Sequence, residues 1–198
     1  MHIEHSLPSD PVPDKSGVIS IDTSDALVRF LDDVVSEEAA KSCAIDTEAD
    51  SLHSFREKLC LIQFESAGRI ALIDPLANID LEPLAEYLRG AEVWVHGGDF
   101  DMLMLKRAFG EVPEKYFDTQ IAARLLGYER FGLAAMIEDV FSVALSKSSQ
   151  RADWGKRPLS DKMLDYAAND VRYVRSLASD LTGRLDEHGR GDWFTESC

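Results

Sequence analysis

The hydrophobic positions of this chain change period along its length, from short strand-like runs to helical spacing. Short apolar runs bounded by polar or glycine-containing turns predict three β-strands, at 43–47, 59–64 and 70–73. The next elements are predicted to be a helix, a strand and a helix, at 81–88, 93–96 and 100–109. This order predicts an α/β domain with a mixed central sheet that begins with three meandering strands and is flanked by helices on both faces.

Helical spacing appears before these strands and again in the second half of the chain. Thr23 or Ser24 can cap a helix with apolar positions at Leu27, Phe30, Leu31 and Val34. Later helices are predicted at 119–126, 133–140 and, as one long element, 160–185. Proline and polar residues predict a flexible N-terminal tail over 1–16, followed by one domain over 17–186 and a C-terminal tail over 187–198.

Composition agrees with a single soluble domain. The 198 residues are 45% hydrophobic and 29% charged, which is ordinary for a globular protein. No apolar run approaches the roughly 18 residues that a membrane span needs, and the first five residues resemble no signal peptide. We therefore expect a cytoplasmic protein that does not bind membranes.

Two acidic residues stand on the first predicted strand of the sheet. Asp46 and Glu48 are separated by one residue, so on a strand both side chains point to the same face. Thr47, between them, points away from that face. Taken alone, the pair also suits a solvated strand end.

Other acidic residues follow in a suggestive order. Asp101 comes after a predicted strand end and a Gly-Gly turn, in the first turn of a helix, where the helix dipole favours acids such as its neighbour Asp99. Tyr166 and Asp170 are four residues apart on a helix and share one face. Asp118, just before a helical run, is interpreted as a helix cap.

Carboxylates brought together in one place repel one another at neutral pH unless they hold protons or cations. Oxygen ligands of this kind favour Mg²⁺ or Mn²⁺. If the fold unites Asp46, Glu48, Asp101 and Asp170, the pattern is typical of a two-metal nuclease.

These motifs resemble the DEDDy branch of the 3′-5′ exonucleases and, within it, the ribonuclease D group. The resemblance covers about residues 19–185 and rests on segments 46–48, 96–101, 117–126, 152–154, 157–159 and 166–170. The tyrosine four residues before Asp170 separates this branch from a related one that uses a histidine five residues before.

The resemblance implies a ribonuclease H-like fold and two divalent metal ions, Mg²⁺ or Mn²⁺. By it, Asp46, Glu48 and Asp170 would hold one ion, Asp46 would bridge to the second, and Asp101 would support the second ion directly or through water. Tyr166 would orient the attacking water, because a phenol with a reference pKa near 10 is a poor base at neutral pH. The product would be a nucleoside 5′-monophosphate.

Two segments are candidates for substrate contacts. In a loop after the first motif, His53 and Arg56 are candidates for contact with the terminal nucleotide, and Leu52 and Phe55 for wedging or stacking against its base. The alternative is that these are ordinary loop residues. A locally basic segment offers phosphate contacts from Lys147, Arg151 and Arg157.

The net charge of −15 and pI near 4.6 are unusual for a nucleic-acid-binding protein. We therefore expect local grip on a few nucleotides of single-stranded RNA or of a short oligonucleotide. A DNA 3′-5′ exonuclease is the alternative, because the catalytic motifs are shared and no residue identifies a contact to a 2′-hydroxyl. A catalytically silent nucleic-acid-binding domain is a weaker alternative, since the four acids and the tyrosine are all present.

Overall fold

The computed structural model describes residues 17–37, 41–50, 57–146, 148–192 and 194. Its six strands are β1 Val18–Ile21, β2 Ser42–Ala49, β3 Leu59–Ser66, β4 Arg69–Ile73, β5 Glu92–Val95 and β6 Tyr116–Asp118. Its seven α-helices are α1 Ser24–Val35, α2 Glu82–Gly90, α3 Asp99–Phe109, α4 Thr119–Leu125, α5 Leu133–Phe141, α6 Asp161–Arg172 and α7 Val174–Glu187.

The strands form one mixed sheet in the order β1-β4-β3-β2-β5-β6. β2, β3 and β4 make the antiparallel meander that the sequence predicts, while β1 runs parallel to β4 and β5 runs parallel to both β2 and β6. The predicted α/β class with a mixed sheet is therefore confirmed.

Helices cover both faces of this sheet. On one face α1, α2 and α3 bury a core that includes Phe30, Leu84 and Leu105 against alternate residues of the central strands. On the other face α6 and α7 pack through Ala168 and Val174, among others. The alternation of strand residues thus supplies apolar side chains to two separate layers, one on each face of the sheet.

Several local predictions hold. Thr23 caps α1 by accepting a hydrogen bond from the Ala26 amide, and the four apolar positions predicted for this helix are all buried. The strands β1 and β6 were not predicted. They are only four and three residues long, and such short runs show too little alternation of apolar and polar residues to identify a strand. Residues 1–16 lie outside the described part, and the domain boundaries at 17 and 186 stay predictions.

The prediction of one long helix over 160–185 is wrong. The chain breaks at Tyr173 into α6 and α7. Apolar periodicity continues through the break and no proline or glycine marks it, so the sequence carries no local signal. The reason is tertiary: α6 packs Ala167 and Ala168 on β2, β3 and β4, whereas α7 turns to bury Leu177 and Leu181 beside α4 and α5.

None of the helices in the described part of the chain has the length and apolar character needed to cross a membrane.

Candidate active site

Asp46 and Glu48 lie where β2 extends past its partner β5. The parallel pairing of β2 with β5 stops at Ala44, whereas the antiparallel pairing with β3 continues through Glu48. One side of the strand end is therefore open to other groups. Both carboxylates are partly exposed there, and the strand backbone fixes their common direction.

Helix α6 crosses the sheet at this point and brings Asp170 to the pair. Ala167 and Ala168 are buried beneath the helix, and these small side chains allow its close approach to the sheet. One carboxylate oxygen each from Asp46, Glu48 and Asp170 lies within 4.8 Å of the others. Segments more than 120 positions apart in sequence thus meet in one cluster, as predicted.

Tyr166 lies one turn before Asp170 on α6. Its ring packs against buried Trp154, with centroids 6.1 Å apart. Its hydroxyl lies beside the Asp170 carboxylate. The phenol therefore lies beside the acidic cluster and is held there by its packing on Trp154.

Asp101 approaches from the opposite side of the sheet, on the first turn of α3. It is buried, with 5% of its surface exposed, and it lies outside the group of three oxygens described above. Thr47 points to that side, away from Asp46 and Glu48 as predicted, and its hydroxyl donates to Asp101 Oδ1 at 2.6 Å.

The turn before α3 depends on glycine. Gly97 has φ +69°, and a Cβ on Gly98 would lie 2.5 Å from a methyl of Val95. The Asp118 carboxylate accepts the amide hydrogens of Gly97 and Gly98, both at 2.9 Å, and also caps α4 through the Gln120 amide at 2.8 Å. The predicted role of Asp118 as a helix cap is confirmed. Its hydrogen bonds to the turn that positions Asp101 were not predicted from the sequence.

His96 and Asp99, the other polar residues of this turn, lie apart from the cluster. Nδ1 of His96 is 2.9 Å from the Thr119 hydroxyl, and burial lowers the pKa of the imidazole to about 4. The side chain is therefore neutral at physiological pH, which suits a structural role at the end of β5. Asp99 is exposed at the start of α3, as its helix-dipole interpretation predicts.

The electrostatics of the cluster favour bound cations. Burial, followed by repulsion from Asp101, Asp170 and Glu48, raises the pKa of Asp46 well above its usual range. Burial and the same kind of repulsion raise the pKa of Glu48 to about 9. Burial also raises the pKa of Asp170 to about 8, although the neighbouring Tyr166 hydroxyl lowers it, and burial raises the pKa of Asp101 to about 6.

Nothing basic relieves this repulsion within the described part of the chain. The ion pairs formed by residues 17–37, 41–50, 57–146, 148–192 and 194 include none to the four acids. Buried carboxylates without a cationic side chain are costly, and divalent ions with a preference for oxygen remove that cost. The donor set therefore fits a hard divalent metal.

The predicted substrate contacts have mixed outcomes. The loop contacts and one basic residue lie outside the described residues: Leu52, His53, Phe55, Arg56 and Lys147. Arg151 is exposed. Arg157 is engaged within the protein, because its guanidinium contacts Asp74 at 2.7 Å and the carbonyl of Cys60 at 2.6 Å. We therefore assign Arg157 a structural role, whereas the phosphate contacts of Lys147 and Arg151 stay predictions.

The fold is ribonuclease H-like, and the acidic cluster is of the kind expected in metal-dependent nucleases of that class. The 3′-5′ exonuclease family model matches residues 18–186, so the chain belongs to the 3′-5′ exonuclease family. The resemblance seen in its motifs is thus confirmed.

Individual relatives agree with this assignment. Ribonuclease D of Cronobacter turicensis is 34% identical over 178 residues, which cover 88% of this chain and 47% of that protein. The crystal structure of Escherichia coli RNase D, an exoribonuclease involved in structured RNA processing, superposes with a TM-score of 0.84 and 34% identity over 90% of this chain and 48% of the other. The chain therefore spans about half the length of these relatives.

A second type of neighbour is matched over more of its length. Brucella melitensis NrnC bound to pGG superposes with a TM-score of 0.68 and 33% identity, over 77% of each chain. The same protein with bound Mg²⁺ gives a TM-score of 0.69 and 30% identity, over 89% of this chain and 83% of the other.

Proposed function

We propose that this chain is a metal-dependent 3′-5′ exoribonuclease that releases nucleoside 5′-monophosphates from RNA 3′ ends or short oligoribonucleotides. The observation that carries the proposal is the convergence of Asp46, Glu48 and Asp170 within 4.8 Å, with Asp101 and Tyr166 beside them. The family assignment and the ribonuclease D relatives support the same reaction.

The residues suit two divalent ions, Mg²⁺ or Mn²⁺. Asp46, Glu48 and Asp170 would hold one ion, and Asp46 together with Asp101 would hold the other. Support comes from the two directions of approach, since Asp101 comes from α3 and Asp170 from α6, with Asp46 between them on β2. When bound, ions of this kind activate a water and stabilise the departing 3′ oxygen.

Tyr166 would donate a hydrogen bond to the attacking water and orient it. Burial, followed by repulsion from Asp170, Glu48 and Asp46, raises the pKa of this phenol far above its usual value. Its proton therefore stays in place at neutral pH, and the side chain acts by position.

A cavity of about 160 Å³ adjoins Tyr166 and Asp170. Its walls include the start of α5 and, from the following segment, the polar side chains Ser146 and Gln150. Its position beside the acidic cluster suits a nucleotide next to the scissile phosphate, and Arg151 follows Gln150 as a contact for a neighbouring phosphate. This arrangement supports contact with only a few nucleotides.

The strongly negative net charge of the protein also favours short substrates. A net charge of −15 gives weak long-range attraction to a polyanion, so binding depends on contacts close to the metal site. The NrnC neighbour, which was solved with pGG, supports a substrate of this length.

Digestion of matched RNA and DNA oligomers tests the proposal. Each 5′-labelled strand, from two nucleotides upwards, is incubated with Mg²⁺ or Mn²⁺, and we expect a ladder shortened one nucleotide at a time from the 3′ end. A 3′-blocked strand and a circular RNA serve as controls and should persist. Cleavage of DNA alone would favour the alternative of a DNA exonuclease, and no cleavage of either would favour a silent binding domain.

A further inference from the structure

The hydroxyl of Thr47 makes a buried contact between β2, which carries Asp46 and Glu48, and α3, which carries Asp101. It donates to Asp101 Oδ1 at 2.6 Å, and both residues have only 5% of their surface exposed. The two residues are 54 positions apart, one on the central strand β2 and the other on α3. A short hydrogen bond to a carboxylate in such surroundings is strong and directional.

The local structure does not by itself require a hydroxyl at this position. A β-branched residue suits a strand, and valine has nearly the same shape as threonine. Thr47 lies on the same face of β2 as Ile45, which shares a buried apolar core with Leu105 of α3. A hydroxyl buried there is costly unless it has a partner, and among the hydrogen bonds of the described residues its partner is Asp101.

The position of Thr47 in the strand gives this contact its significance. It stands between Asp46 and Glu48, which point to the opposite face, so one short strand fixes all three side chains. Asp101, in contrast, belongs to a separate element, the helix α3. The hydrogen bond from Thr47 fixes the Asp101 carboxylate relative to Asp46 and Glu48.

We propose that Thr47 is a positioning residue that fixes the carboxylate of Asp101 relative to Asp46 and Glu48, and so sets how tightly the second divalent ion binds. The inference rests on the proposed function. Residues that hold metal ligands by hydrogen bonds typically change metal affinity or activity by about 10- to 100-fold when they are removed.

The decisive comparison is Thr47→Val, which deletes the donor and keeps the shape, with Thr47→Ser, which keeps the donor. Mn²⁺ binding is counted by electron paramagnetic resonance in the presence of adenosine 5′-monophosphate. We expect the weaker Mn²⁺ site to lose about 10-fold or more in affinity in Thr47→Val and to stay near wild type in Thr47→Ser. On RNA oligomers, kcat should fall by a similar factor in the valine variant, with little change in KM.

A matched control removes a threonine hydroxyl elsewhere. Thr182 donates to the Ala178 carbonyl at 2.8 Å on α7, and Thr182→Val should leave Mn²⁺ binding unchanged. Circular dichroism checks that each variant is folded, and Thr47→Ala replaces the valine variant if that one does not fold.

Two results would overturn the inference: wild-type Mn²⁺ affinity in the folded valine or alanine variant, or an equal loss in the serine variant. A lower melting temperature with unchanged Mn²⁺ binding would show a merely structural hydroxyl and would also overturn it. Failure of the proposed function is distinguishable, because a wild-type protein that cleaves neither RNA nor DNA still allows the Mn²⁺ comparison to be made.

Discussion

Replacing Asp170 with asparagine should stabilise the metal-free protein and abolish both its stabilisation by Mg²⁺ and its activity. The side-chain volume barely changes, but one of three clustered charges disappears. At the 4.8 Å limit of the cluster, two unit charges repel by about 3.5 kcal/mol with an effective dielectric constant near 20. Asp170 faces two such neighbours, Asp46 and Glu48.

The expected gain in the free energy of unfolding is smaller than the sum of these two repulsions, because the neighbouring carboxyls retain protons and the site is partly exposed. We expect an increase of about 1–3 kcal/mol in the free energy of unfolding near pH 9, which corresponds to roughly 2–12 °C in melting temperature for a domain of this size.

The gain should depend on pH, with a sign that follows from the raised pKa values. Asp170 titrates near 8 when folded, compared with about 4 when unfolded, so the folded state holds more protons between these values. The metal-free wild type should therefore lose stability as pH rises through this window. Asp170→Asn should show a flatter profile, with little gain near pH 5.

Urea unfolding in EDTA at about pH 5 and pH 9, with thermal melts with and without Mg²⁺, measures these effects. Asp165→Asn is the matched control, since Asp165 is exposed on the same helix and should change neither profile. The reasoning is refuted if Asp170→Asn is no more stable than wild type near pH 9 without metal, or if Mg²⁺ still raises its melting temperature as in wild type.

Four further outcomes are expected. Tyr166→Phe should slow the single-turnover cleavage rate by about 10²–10⁴-fold with nearly normal Mn²⁺ binding; an unchanged rate would exclude a chemical role for the hydroxyl. Asp118→Ala should lower the free energy of unfolding by about 2–4 kcal/mol in urea titrations, because three amide donors lose their acceptor. Arg151→Glu should raise KM and reduce the log–log salt slope by about one unit with kcat preserved; an unaltered slope would remove it from the phosphate contacts. Calorimetric Mg²⁺ affinity should rise from about pH 6 to pH 9, since protons must leave Glu48, with a pKa of about 9, before metal binds.

The sequence alone was sufficient for the parts of the protein that depend on local periodicity and short motifs. The strand alternation around Asp46 and Glu48 and the helical spacing of Tyr166 and Asp170 each follow from the geometry of one element. Local patterns were also sufficient to predict the α/β class, the caps at Thr23 and Asp118 and the resemblance to the ribonuclease D group.

Tertiary structure decided what depends on contacts between distant elements. The break at Tyr173 has no local signal, because it arises from the two different surfaces on which α6 and α7 pack. The locally basic segment predicts a phosphate contact at Arg157, whereas in the fold its guanidinium is bound to Asp74 and a β3 carbonyl. For Thr47, the sequence predicted only that its side chain faces away from its acidic neighbours. Its contact with Asp101 exists because β2 and α3 meet at the end of the sheet, and a hydrogen bond across 54 residues is fixed by packing and not by any pattern along the chain.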